Sequence, residues 1–375
     1  MRNRQHRSMA LPPRVPTGFV GGRGHGRGSG RARDIIPRIV FGPRLEPTNG
    51  SRGGSRAPTV ANITYAIQQM NVVDPEPAPS AAFVALDGER LEILGLELAG
   101  FEIKRQGSKA TKTRRFRAHF GVGSAAIASM YNDLREKNVR SDRLLMAMNF
   151  LKGYDTEHVL SGRWKMDERE IRESNRIVLR EIQGLKEKKV VWGDWEEDEI
   201  FIGSVDGVNC RIQEVRKDPG SKWFDYKSHG AGVGYELGIS IRSGNLIWIR
   251  GPFTASTHDV TKLRGEEEHA PLLGPPPPAQ CLKDKIEGNQ RFVGDAGYRG
   301  EPTKISITRP DDSDEVKHFK ARVKSRHETF NARIKSFLVL AMPFRHDISQ
   351  HKQCFESVCL AVQYDIENGH PLFQV

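Results

Sequence analysis

The chain has 375 residues, a formal net charge of +11 and 37% hydrophobic residues, enough for about two domains and a tail at roughly 150 residues per domain. No apolar run approaches the ~18 residues that a membrane-spanning helix needs, which argues against a membrane protein. The basic N-terminus has no continuous apolar segment and the four cysteines are scattered, so we expect an intracellular protein with reduced thiols rather than a secreted one.

Residues 1–80 are predicted to form a disordered basic tail. They are rich in Arg, Gly and Pro, as in GGRGHGRGSGRARD, and have too few apolar residues to offset the entropy of ordering. Residues 1–60 hold 12 arginines and only two acidic residues, so they carry nearly all of the net charge. Such a tail attracts polyanions without reading their sequence, and it is either a nonspecific nucleic-acid arm or a solubilising segment. Its arginines also fit a mitochondrial transit peptide, although Gly and Pro disfavour the amphipathic helix that such a peptide forms.

Residues 81–198 are predicted to form a mainly helical domain. Apolar residues recur at three- and four-residue spacing in DGERLEILGLELAG, SDRLLMAMNFLKGY and DEREIRESNRIVLREIQGLKEKK. Between the first two, a GVG turn joins two short predicted helices, which fits a helix-turn-helix. Basic residues suited to phosphate contact precede it, namely Lys104, Arg105, Lys109, Lys112, Arg114, Arg115 and Arg117. A helical hairpin that only packs has the same pattern; we favour DNA binding.

Residues 199–375 are predicted to form an α/β domain with a mixed sheet. The segments IFIGSVDGVNCRI, YELGISIRS and LIWIRGP have the composition of successive strands. They are followed by a short helix at HDVTKLR, a proline-rich loop, a strand at RFVGDAGY and a helix from Val316 to Leu340. Three hairpin-like strands, a helix, a fourth strand and further helices indicate an α/β fold.

Three carboxylates of this domain are candidates for a shared site. Asp206 interrupts an apolar strand at its end, Asp295 follows a strand between two glycines, and Glu328 lies on the polar face of the last predicted helix. Taken singly, the aspartates have an ordinary explanation as turn residues, and Glu328 as the partner of Lys324 in a surface ion pair. Taken together, they supply the hard oxygen ligands that two divalent ions about 3.5–4 Å apart require.

Two further sets of polar residues have structural interpretations. Ser256 and Asp259 form an S-x-x-D pattern at the start of a predicted helix, so we expect a capping box, with metal or substrate contact as the alternative. The segment HDISQHKQCFESVC misses the CxxC spacing of structural zinc sites. Its histidines and cysteines are therefore expected to be core and surface residues.

The motifs SVDGVN, STHD, VGDAGYRG and RHETFNARIK, in this order and followed by ENGHPLF, resemble the catalytic region of the DDE transposases of the PIF/Harbinger group. The resemblance covers about residues 199–375 and implies a ribonuclease H-like fold. By motif, Asp206, Asp295 and Glu328 match the catalytic residues of the family, and they would bind magnesium or manganese, as two ions. Asp259 matches a further acidic position of the family pattern.

The sequence departs from the family at Val208 and Asn209, where a Thr-His pair is common. This change leaves the metal ligands in place and alters the contacts beside them.

The resemblance implies a DNA transposase that cleaves phosphodiester bonds with the help of metal ions and transfers the DNA strand. Its partners would be double-stranded DNA at transposon ends and targets, further copies of the chain on that DNA, and a separate DNA-binding protein encoded by the same element. A DNA substrate and basic clusters lead us to expect a nuclear protein. Two alternatives stay open: a domesticated or inactive transposase-derived DNA-binding protein, and an RNA-binding protein that uses its Arg/Gly tail.

Overall fold

The computed structural model describes residues 85–265 and 281–375, apart from residues 217 and 219, together with residue 272. The tail predicted at residues 1–80 lies outside these residues, as does most of the proline-rich stretch at 265–279. The described chain is an α/β structure with a helical region followed by a mixed sheet. Among the described residues, no helix combines the length and the apolar character needed to cross a membrane.

The helical region confirms the three amphipathic helices that the sequence predicts. Its helices are α1 (Gly88–Leu98), α2 (Lys109–Phe120), α3 (Ser124–Asp133), α4 (Ser141–Gly153), α5 (Glu157–Trp164), α6 (Glu168–Gln183) and α7 (Lys186–Lys189). Aspartate side chains cap two of the predicted helices: Asp87 accepts from Arg90 N in α1, and Asp167 accepts from Arg169 N in α6. The predicted third helix is interrupted at Gly184, so α6 and α7 replace one longer helix.

The GVG turn joins two helices, α2 and α3, as the sequence predicts. One side of α3 packs against α1, and five of its ten residues are buried. A recognition helix needs only one face for the major groove, so this packing leaves the helix-turn-helix a prediction.

The sheet places the first predicted strand at its centre. Its strands are β1 (Phe201–Arg211), β2 (Phe224–Asp225), β3 (Gly230–Ser240), β4 (Leu246–Thr254), β5 (Arg291–Val293) and β6 (Ile305–Ser306). β4, β3 and β1 are antiparallel neighbours, whereas β5 and β6 continue the sheet in parallel on the other side of β1. The short β2 pairs with the start of β3. The prediction of a mixed sheet is therefore confirmed.

The helices after β4 are α8 (Asp259–Arg264), α9 (Leu282–Lys285), α10 (Asp314–Lys335), α11 (Leu338–Ala341) and α12 (Ile348–Glu367). The predicted helix Val316–Leu340 was too long, because the chain turns at Ser336 and Phe337. Phe337 is fully buried at this turn. The sequence pattern placed it on the apolar face of the helix, whereas in the structure it packs at the end of α10.

Helix α12 joins the helical region to the sheet. It packs against α3, α6 and β4. Tyr364 donates its hydroxyl to Asp133 on α3 at 2.6 Å, and Gln363 accepts from the backbone N of Leu246 on β4 at 2.8 Å. One hydrophobic cluster contains residues of both regions, and both belong to the compact unit Pro77–Val375. The helical region therefore shares its core with the sheet.

We expect Gly121→Ala to destabilise the fold more than Gly100→Ala. Both glycines have positive φ, 87° and 92°, so each substitution should cost about 1 kcal/mol of backbone strain. A Cβ at Gly121 would also lie 2.2 Å from the Phe337 ring, whereas nothing lies within 4 Å at Gly100. This overlap should add roughly 1–3 kcal/mol, measurable by denaturant unfolding. Equal losses in the two variants would contradict the packing of the turn on Phe337.

Candidate active site

Asp206 lies in the middle of the central strand, beside the end of the neighbouring parallel strand. The strand runs on to Arg211, so the prediction that Asp206 ends it was wrong. In the parallel pairing of β1 with β5, Ser204 is opposite Val293. Asp206 and Asp295 each lie two residues beyond this pair, Asp206 on β1 and Asp295 just after the end of β5, and the charge of Asp295 acts on the Asp206 carboxylate. The register of the sheet therefore brings the two predicted aspartates together.

Asp295 shapes a turn at the same place. It lies one residue after the end of β5, and its carboxylate accepts a hydrogen bond from the backbone N of Gly297 at 2.8 Å, capping the short 3-10 turn Ala296–Tyr298. The side chain nonetheless stays exposed. A carboxylate that uses one oxygen on its own turn keeps further lone pairs for a ligand, so the structural and chemical roles are compatible.

Asp259 does not form the predicted capping box. Helix α8 starts at Asp259 itself, His258 is its N-cap, and no side chain caps it. The carboxylate instead accepts a hydrogen bond from Lys262 Nζ at 3.0 Å. A Cβ placed on Gly297 would lie 2.9 Å from Asp259 Oδ2 and 3.0 Å from Asp295 Oδ1. Asp259 and Asp295 therefore border the same small space, which the missing side chain of Gly297 leaves open.

Helix α10 runs along β1 and carries Glu328 past the two aspartates. Three contacts fix this alignment: Ser204 Oγ with His327 Nδ1 at 2.8 Å, Asn331 Nδ2 with Asp206 Oδ2 at 2.8 Å, and Lys335 Nζ with the carbonyl of Asn209. They occur in order along both elements, so β1 and α10 run in the same direction.

Glu328 lies between contacts to two different strands. One turn before it, Lys324 Nζ donates to Thr308 Oγ1 at 3.2 Å beyond β6, and one turn after it, Asn331 reaches Asp206 on β1. Since β5 lies between β1 and β6, this face of α10 crosses the end of β5, where Asp295 is. Glu328 is exposed, and the predicted ion pair with Lys324 is not among the ion pairs of the described residues.

Asp206, Asp259 and Asp295, which we call the carboxylate cluster, carry more negative charge than the neighbouring groups neutralise. The pKa of Asp206 is raised to about 6, first by burial and then by the charges of Asp259 and Asp295. The pKa of the Tyr298 hydroxyl is raised well above its usual value, mainly by burial and further by the neighbouring carboxylates, among them Glu236. This hydroxyl is buried and has no hydrogen-bond partner in the described structure.

This electrostatic imbalance suits a divalent cation. Mutual repulsion between carboxylates is relieved when a cation binds between them, and the buried Oδ1 of Asn331 also lacks a partner beside Asp206. However, no three His, Cys, Asp or Glu side chains of the described chain form a group that could hold a metal. The donor types fit magnesium or manganese, while the predicted oxygens do not converge on one point in this conformation.

Sequence reasoning missed two buried charged residues behind the cluster. Glu236 is fully buried on β3 opposite Gly207, and burial raises its pKa to about 7 although Trp248 donates to it. Lys262 is buried and bonds Asp259; the absent side chain of Gly207 leaves room for the Asp259 carboxylate, and that of Gly234 leaves room for Lys262. Glu236 had a signal in the sequence, an acidic residue inside the apolar strand YELGIS. Lys262, at three residues from Asp259, looked like an ordinary exposed helix residue.

The seven predicted DNA-binding residues divide into two groups. Most of them lie on α2 rather than ahead of the hairpin. Arg117 forms an ion pair with the buried Asp365 at 2.7 Å, and Arg115 donates to the carbonyls of Arg105 and Gln106, so both have structural roles. The side chains that extend into solvent are those of Lys104, Arg105, Lys109 and Arg114, with Lys112 half-buried.

Cys354, Cys359 and His351 belong to the core and His346 is exposed, which confirms the prediction of core and surface residues. All four cysteines are free and buried. His351 stacks on Tyr235 and shares a hydrogen bond with its hydroxyl at 2.8 Å. His346 contacts the ring of Phe344. These contacts account for the residues without a zinc ion.

Comparison with family models, curated proteins and solved structures gives no match for this chain. Any assignment of function therefore depends on the geometry of the carboxylates and on the motifs themselves.

We expect Asp206→Asn to stabilise the protein at pH 8 and to leave its stability unchanged at pH 4. Because the pKa of Asp206 is raised when the protein folds, its contribution to stability is full below about 3.8 and is lost as the pH rises through about 6. The asparagine side chain carries no charge, so the free energy of unfolding at pH 8 should rise by on the order of 2 kcal/mol. Thermal unfolding at both pH values measures it, with the surface variant Asp311→Asn as the control for net charge. A gain that is the same at both pH values would contradict the charged, half-buried cluster.

Proposed function

We propose that the chain is a metal-dependent DNA transposase or endonuclease of the PIF/Harbinger type. The observation that carries this proposal is the placement of Asp295 just beyond the end of β5, beside Asp206 on the adjacent parallel strand β1. The pKa of Asp206 is raised by its burial and then by the negative charges of Asp259 and Asp295. Glu328 follows on the helix that crosses the end of β5. These residues occur in the motifs that resemble the family, so chemistry and resemblance agree on the same three carboxylates.

We also propose a ribonuclease H-like fold for residues 199–375. The sheet supports this assignment through its organisation, with three antiparallel strands on one side of β1 and parallel strands on the other. The first carboxylate stands on the central strand, the second at the end of the adjacent parallel strand and the third on a long helix beside them. The same order along the chain is what the resemblance implies.

The proposed mechanism assigns each residue one task. Asp206 and Asp295 would hold two magnesium or manganese ions, and Glu328 would complete the site from α10. When bound, such ions activate the attacking oxygen and stabilise the leaving oxygen of an in-line displacement. Asn331 fixes Asp206 through its amide, and Lys262 fixes Asp259 at the edge of the cluster. The chain's own contribution is thus the positioning of carboxylates and DNA.

The proposed substrate is double-stranded DNA, at transposon ends and at the target. The exposed cations of α2 and of the segment before it supply phosphate contacts that do not depend on sequence. Assembly of further copies of the chain on paired DNA ends, a separate DNA-binding protein from the same element, and nuclear location belong to the same proposal.

One observation favours a domesticated or inactive DNA-binding protein as the second candidate. Asn209, one of the two residues that depart from the family pattern, donates its amide to Asp225 at 3.0 Å. It is therefore engaged in holding a neighbouring loop rather than free for substrate. A protein with intact DNA binding and no metal-dependent cleavage would support this candidate.

Asp295→Asn should abolish manganese-dependent cleavage of a duplex that carries the element's terminal repeats. Losing one ligand of the proposed ions should lower the rate by roughly 10²- to 10³-fold or more, because charge stabilisation at the reacting phosphate is lost. DNA affinity should stay unchanged, since the phosphate contacts lie elsewhere. Asp311→Asn, with the same chemical change on an exposed turn, is the control. Wild-type rates in the Asp295 variant would rule out its proposed role.

Removing two exposed cations of α2 should weaken the salt dependence of DNA binding. In Lys109→Ala/Arg114→Ala, the slope of log affinity against log salt should fall by about 0.9 for each phosphate that the protein no longer neutralises. The matched control is Arg169→Ala/Arg180→Ala, which removes two exposed cations from α6. Fluorescence anisotropy over a salt series gives both slopes. The same slope in both double variants would exclude α2 as the DNA-contacting surface.

A further inference from the structure

Two exposed aromatic rings stand on the segment between β1 and β3. In residues 221–229, which we call the aromatic loop, Tyr226 is 76% exposed and Phe224 is 36% exposed. Their ring centroids lie 5.1 Å apart with an edge-to-face geometry. Large aromatic rings that are exposed side by side on a protein surface are uncommon, and they indicate a binding function.

The loop holds these rings in place through buried anchors. Asp225, between the two rings, is buried and accepts hydrogen bonds from Asn209 Nδ2 at 3.0 Å and from the backbone N of Lys227 and Ser228, both at 3.2 Å. Trp223 is also buried. Its indole N donates to the carbonyl of Asp218 at 2.8 Å. Tyr226 and Phe224 are therefore exposed on a segment that buried side chains and hydrogen bonds hold in place.

The aromatic loop lies beside the carboxylate cluster. Its anchor, Asn209, follows Asp206 by three residues on the same strand. Lys227 is exposed, and its positive charge acts on the Asp206 carboxylate, opposing the rise in its pKa. Lys222, before the rings, is also exposed, but its ammonium group forms an ion pair with Asp218 at 2.6 Å. Two aromatic rings and the exposed ammonium group of Lys227 thus border the site where the proposed chemistry occurs.

This combination fits nucleotides better than a protein partner. Bases stack on aromatic rings whatever their sequence, and cations beside the rings contact the phosphates. Two rings and their neighbours offer far less area than the roughly 800 Å² per partner of a stable protein interface. The positive charge of Lys227 also complements the nucleic acid on which the neighbouring carboxylates are proposed to act.

We propose that the aromatic loop is a stacking platform for unpaired bases of DNA next to the phosphodiester that is cleaved. The inference rests on the proposed function for its choice of DNA. An active site formed by a helix and strand ends needs close access to one phosphate, and unpairing the adjacent bases gives that access at a cost of a few kcal/mol. Stacking on Tyr226 and Phe224 offsets this cost.

The test compares two DNA duplexes of equal length and charge, one fully paired and one with mismatched terminal bases. Full-length wild-type protein should bind the mismatched end more tightly. Tyr226→Ala should lose about tenfold in affinity for the mismatched end, which corresponds to about 1.4 kcal/mol, and little for the paired duplex. Tyr226→Trp should retain the affinity. Phe373→Ala, which removes another exposed ring outside the loop, should bind as the wild type does.

Binding is measured by fluorescence anisotropy with calcium, and cleavage is measured separately with manganese. Equal loss on both duplexes, or wild-type binding by Tyr226→Ala, overturns the platform even when the protein cleaves DNA. A selective loss on the mismatched end by a protein that never cleaves supports the platform and counts against the transposase. A loss seen only with single-stranded RNA overturns DNA as the occupant.

Discussion

The carboxylate of Asp206 sits in the middle of the central strand, largely shielded from water, with the like charges of Asp259 and Asp295 beside it. The surrounding structure is arranged to tolerate this charge. Gly207 N and the Asn331 amide donate hydrogen bonds to it at 2.9 and 2.8 Å. These contacts do not neutralise the cluster, and its remaining negative charge is the physical reason to propose divalent ions.

The helical region places the proposed DNA contacts relative to this cluster. Arg117 on α2 bonds the buried Asp365 of α12, and the turn after α2 packs on Phe337 at the end of α10. The basic face of α2 is therefore fixed with respect to the helix that carries Glu328. On the far side of β1, the Asn209–Asp225 hydrogen bond fixes the aromatic loop. The proposed phosphate contacts, the carboxylates and the proposed stacking surface are thus held by one folded unit, and catalysis by positioning would require this.

The sequence predicted what local patterns encode and missed what depends on pairing in space. Apolar periodicity and capping residues such as Asp87 gave the helices, and β-rich runs gave the long strands. The register that brings Asp206 beside Asp295 joins residues far apart in the chain, so no local signal predicted it; the motif order alone suggested it. The S-x-x-D spacing predicted a capping role for Asp259, whereas in the structure its carboxylate bonds Lys262. The packing of α3 against α1 likewise joins segments that are apart in the chain, and no local pattern predicts it.

The most direct test of the central claim is the position of manganese in crystals of the protein bound to DNA, located by anomalous diffraction. The account predicts two manganese peaks about 3.5–4 Å apart between Asp206, Asp295 and Glu328, with the side chain of Glu328 turned toward them from α10. Peaks that are absent from this cluster, or that lie elsewhere while DNA occupies the surface, would contradict a two-metal site built from these carboxylates.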